Sequence, residues 1–82
     1  MATELSNDTP HKLHAALYYE WPSSDEVFQT NYRDALKRWF TNLSAGDKMA
    51  TKSARRAFDR GDDAGAAATA AALPPAPVCP LI

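Results

Sequence analysis

SSDEVFQTNYRDALKRWFTNL, residues 23–43, reads as one long amphipathic helix. At about 100° per residue, Phe28, Tyr32, Ala35, Leu36, Trp39, Phe40 and Leu43 fall within an arc of roughly 140°. Arg33, Asp34, Lys37, Arg38 and Thr41 occupy the other side. Ser23 followed three residues later by Glu26 is a capping box, in which hydroxyl and carboxylate each satisfy a backbone N–H that the first turn leaves unpaired. Asp25 and Glu26 also face the positive end of the helix dipole. An aromatic face this wide needs a cover, and what the rest of the chain offers decides whether that cover is internal.

Upstream, Thr9-Pro10 marks a helix start, because proline at the first helical position gives up no hydrogen bond. The spacing predicts a helix over residues 10–21, with Leu13, Leu17 and Trp21 as its buried line and Ala16 beside them. Pro22 stops it by pushing the preceding residue out of α geometry. So short a connection to the next helix predicts an antiparallel hairpin.

Downstream, Ser44-Ala45-Gly46-Asp47 is the second break. Gly46 can supply a left-handed cap and Ser44 or Asp47 an N-cap. A third helix is expected over residues 47–60, ending at Gly61. Its inner face is Met49, Ala50, Ala54, Ala57 and Phe58; its outer face is Lys48, Lys52, Arg55 and Arg56.

The last 22 residues contain eight alanines, four prolines and no aromatic residue. Asp62-Asp63 can cap a short alanine helix over residues 63–73, and Pro74-Pro75-Ala76-Pro77 ends it. The organisation expected is a flexible N-terminus (1–9), a helical domain (10–60) and an Ala/Pro-rich tail (61–82). The fold class is all-α: a three-helix body, built from the hairpin plus a third basic helix.

The formal net charge of −1 on 82 residues conceals a gradient. Residues 1–26 hold one basic residue against five acidic ones, whereas residues 33–60 hold eight basic against three acidic. Such asymmetry steers association with acidic partners and also suits pairing within a bundle. The single cysteine, Cys79, cannot form an internal disulfide. With neither a signal-peptide pattern nor an apolar run long enough to cross a bilayer, a soluble, cytoplasmic protein without membrane association is expected.

No residue constellation spells out a reaction. His11 and His14 share a helix face, but nothing in the sequence places Cys79 or an acid near them as a third ligand, so neither metal nor cofactor is expected. Arg60-Gly61-Asp62 fits a helix stop better than an adhesion motif. The proline spacings of the tail fit an extended segment better than a groove ligand. The chain is therefore expected to be no enzyme but a protein-binding module: an adaptor, inhibitor or accessory subunit of a larger protein. It would act through Tyr32, Leu36, Trp39 and Phe40, because aromatic residues dominate interface hot spots. Two alternatives remain. One is nucleic-acid or other anion contact through Lys48, Lys52, Arg55 and Arg56. The other is a homo-oligomer that buries the second helix against its own copy.

Overall fold

The computed structural model describes residues 5–19 and 32–79. In chain order the elements are β1 (Leu5–Ser6), α1 (Thr9–Tyr18), α2 (Arg33–Thr41), α3 (Ala45–Asp59), α4 (Asp63–Ala71) and β2 (Ala76–Pro77). The molecule is mostly helical, as the all-α class requires. The Ser23–Glu26 capping box, Phe28 and the Trp21-Pro22 break lie outside the described residues.

Local signals explain the helix ends. Pro10 stands in the first turn of α1, and Asp8 precedes it in extended conformation. Ser44 caps α3, its hydroxyl accepting from the Asp47 N–H at 3.1 Å. The helix therefore begins at Ala45, and Gly46 lies inside its first turn instead of forming a left-handed cap. That conformation belongs to Gly61, at φ 86°. There the Gly61 N–H donates to the Phe58 carbonyl and the Asp62 N–H to the Ala57 carbonyl. This double bond pattern is a Schellman motif, which satisfies the carbonyls a helix end leaves open. Asp62 then caps α4, accepting from the Gly65 N–H at 2.9 Å.

The stretch read as a tail is packed as far as residue 79. Helix α4 makes its main contacts with α3 and α1, and Ala66, Ala70, Leu73, Ala76 and Cys79 are all buried. Part of the expected N-terminal arm is ordered too: Leu5 pairs with Pro77 and Ser6 with Ala76 in a two-stranded antiparallel ribbon. The reason is geometric. Alanine surfaces permit close approach, so a segment with little apolar area per residue still excludes water along its length. Four helices and this ribbon therefore replace the expected three-helix body.

The turn of the expected helical hairpin lies outside the described residues. Among the described elements, α2 packs chiefly on β2, while α1 packs on α4, α3 and β2. One cluster joins Ala15 and Ala16 of α1, Leu36 and Trp39 of α2, Ala54 of α3, Ala70 of α4 and Leu73, Ala76 and Cys79 beyond it.

The inner face of α3 differs from expectation. Thr51, Ala54 and Ala57 are buried, whereas Met49 is 56% and Phe58 40% exposed. The close seat against α4 and α1 selects small side chains and leaves the large ones outside it.

Candidate functional site

Leu36 and Trp39 of α2, with Tyr32 and Leu43 just beyond its two ends, follow helical spacing and form one buried stripe. Three of the four residues read from the sequence as a binding face therefore belong to the core cluster. Phe40, the fourth, flanks that stripe and is only partly buried. Its ring stacks on Tyr19, with centroids 3.9 Å apart and planes at 10°. Lys48 Nζ stands 5.6 Å from the Phe40 centroid, within the range of a cation–π attraction.

This stacked pair is the meeting point of two basic helices. On one side Arg33, Lys37 and Thr41 of α2 surround Tyr19 and Phe40 in a shallow depression. On the other, Tyr19 borders a second depression with Lys52, Arg55 and Arg56 of α3. Lys48, Lys52 and Arg56 share one flank of α3 at 100° per residue, and the exposed Met49 lies beside them. Among the described residues, no ion pair engages Arg33, Lys37, Lys48, Lys52 or Arg56.

Arg55 serves a different purpose from its neighbours. It pairs with Asp59 at 3.1 Å, and its guanidinium donates to the Leu17 carbonyl at 3.1 Å. That carbonyl lies in the last turn of α1, where the helix supplies no partner. Arg55 thus ties α3 to α1, and of the set read from the sequence Lys48, Lys52 and Arg56 make no ion pair among the described residues.

A second assembly, unforeseen in the sequence, links α1 to the chain end. The Cys79 N–H donates to His11 Nδ1 at 3.0 Å, and His14 Nδ1 lies 2.9 Å from the Tyr32 hydroxyl. Burial, reinforced by the nearby His11, lowers the His14 pKa below the ordinary imidazole value. Burial raises that of Tyr32, and the Cys79 side chain adds to the shift by charge repulsion and by a hydrogen bond. Cys79 is 1% exposed. Enclosed in this way, its thiol is a packed side chain and not an accessible nucleophile. Among the described residues no three His, Cys, Asp or Glu side chains gather as metal ligands. The only advance sign of this assembly was the His11–His14 spacing, because its other members lie 18 and 68 positions away along the chain.

A third feature is a groove of about 310 Å³ between α2 and the C-terminal segment, lined by Ala35, Arg38, Trp39, Asn42 and Leu43 with Leu5, Pro74 and Pro77. The described residues contain no helix long and apolar enough to cross a membrane. Compared with protein-family models, curated proteins and solved structures, the chain has no match.

Proposed function

We propose that this protein is a small non-catalytic binding module, an adaptor, inhibitor or accessory subunit, that docks on an acidic surface of a larger protein. The observation that carries this reading is the convergence on the half-buried Tyr19–Phe40 stack of cations from α2 and α3, of which Arg33, Lys37, Lys52 and Arg56 make no ion pair among the described residues. Lys48, Lys52 and Arg56 supply charge complementarity, which governs on-rate and orientation. Phe40, Tyr19 and the exposed Met49 supply the apolar centre, since aromatic residues, Met and Arg are enriched in interfaces. Relative to the sequence reading, the surface moves from the buried stripe of α2 to its Phe40 edge.

The same surface favours a second reading for a specific reason. Aromatic rings set among cations also form stacking platforms for single-stranded nucleic acid. The exposed Met49 and the net charge of −1 weigh toward a protein partner.

Fluorescence anisotropy separates the two readings. The probes are a peptide rich in Glu and Leu, a single-stranded oligonucleotide and a duplex of the same length, titrated at low and at physiological salt. The peptide is expected to bind, and the double variant Lys52→Glu/Arg56→Glu should weaken it at least tenfold while helical circular dichroism is kept. Tighter binding of either oligonucleotide, with a steep salt slope, would move the assignment to nucleic acid. Peptide affinity unchanged in the double variant would remove this surface from consideration.

A further inference from the structure

The groove beside Trp39 lies on the opposite flank of α2 from the basic surface. At 100° per residue, Ala35, Arg38, Trp39, Asn42 and Leu43 fall on one side of the helix and Arg33, Lys37, Phe40 and Thr41 on the other. The walls are mainly apolar: Leu5, Ala35, Trp39, Leu43, Pro74 and Pro77 line it, with polar side chains from Arg38 and Asn42. Leu5 is 65% exposed. The one charged group in the lining is Arg38. The Trp39 side chain is buried, and its indole Nε1 is a hydrogen-bond donor with no acceptor. Buried tryptophan N–H groups usually have a partner. Arg38 is exposed, and no carboxylate stands within ion-pair distance of it among the described residues.

We propose that this groove docks a short extended segment of a partner protein in which an acidic side chain stands among aliphatic residues. Arg38 receives the carboxylate, and the apolar walls, Trp39 among them, take the flanking aliphatic side chains. Charge complementarity sets the sign of the occupant, since the polar lining contributes one fixed positive charge and no negative one. The open shape sets its form. Sites for small molecules enclose most of their ligand, whereas this depression is only partly enclosed and suits a segment of chain laid across it. The site is independent of the basic surface and survives if that assignment fails.

The test is selection of a displayed random heptapeptide library on the immobilised full chain. Asp or Glu flanked by Leu, Val or Phe should be enriched, and enrichment should vanish on Arg38→Glu. A selected peptide should shift the Trp39 indole N–H resonance, identified by its loss in Trp39→Phe. Its affinity should fall at least tenfold in Arg38→Glu and stay unchanged in Lys52→Glu/Arg56→Glu, which alters only the other surface. Absence of an acidic–aliphatic consensus, or binding that leaves the indole resonance in place, would overturn the proposal. So would hexanoate binding as tightly as the peptide, which would make this a small-molecule site. A concentration-dependent dimer in sedimentation that Arg38→Glu abolishes would assign the groove to a second copy of the chain instead.

Discussion

The main-chain N–H of Cys79 donates to Nδ1 of His11 at 3.0 Å, across 68 positions of sequence. Nδ1 of His11 must therefore carry its lone pair, and a proton on that nitrogen would set two donors against each other. Beside it, His14 pairs with Tyr32, so both histidines of α1 hold later parts of the chain in place.

The burial of His14 makes stability pH-dependent. Burial, with repulsion from His11, depresses the His14 pKa below its ordinary 6.5, so on acidification the unfolded chain takes up the proton first. The stabilisation is complete above the unfolded value and is lost as pH falls from there toward the depressed folded value. Urea midpoints should decline as pH falls through and below the ordinary imidazole value of 6.5, and His14→Gln should remove part of that decline. Parallel profiles for wild type and variant would show that His14 does not cause it.

Leu73 is 3% exposed and belongs to the core cluster, although it lies in the part of the chain that composition marks as a tail. Leu73→Ala is expected to cost about 2–5 kcal/mol, the range for buried leucine truncations. Chemical denaturation measures it. A cost under about 0.5 kcal/mol, typical of surface sites, would mean that residues 61–79 do not contribute to the core.

Lys12 is only 8% exposed, and its ammonium donates to the Ala71 carbonyl at 3.2 Å. Ala71 is the last residue of α4, so the lysine satisfies an open carbonyl at the negative end of that helix. Replacing it with methionine keeps the aliphatic stem and removes the charge. A loss of about 1–3 kcal/mol is expected. Lys12→Arg should recover part of it if the charge at this end of the helix is what matters.

Gly65 lies in the first turn of α4, where helix propensity alone would favour alanine by up to about 1 kcal/mol. A methyl group at this position would overlap the Asp62 carboxylate, which caps the helix by accepting from the Gly65 N–H. Loss of such a cap costs about 0.5–2 kcal/mol, so Gly65→Ala should be neutral to destabilising. Thermal unfolding gives the sign. In an Asp62→Ala background, where the cap is already gone, the same substitution should stabilise.

Much of the local structure was legible because each decision involves a few neighbours. Thr9-Pro10 opens α1, Ser44 caps α3, Gly61 stops it and Asp62 caps the alanine helix. The basic flank of α3 was legible as well, apart from the special position of Arg55, whose second partner is a main-chain oxygen 38 residues away. The fate of the aromatic face of α2 was not legible. Counting large apolar residues made the other helices look too poor to cover Tyr32, Leu36 and Trp39. The cover includes Ala15, Ala16, Ala54, Ala70 and Ala76, whose value lies in how closely they let backbones approach and not in side-chain area.

By itself the sequence determined the mostly helical class, the capping signals at Pro10, Ser44, Gly61 and Asp62, and the sign of charge along each helix, since these depend on residues three or four positions apart. Only the tertiary structure decided which apolar surface is core and which is free. It turned the Ala/Pro segment inward, joined Cys79 to His11, and left Phe40 and the Trp39 groove on opposite flanks of α2. Those outcomes rest on contacts between distant parts of the chain, where close packing of small side chains outweighs what any single residue contributes.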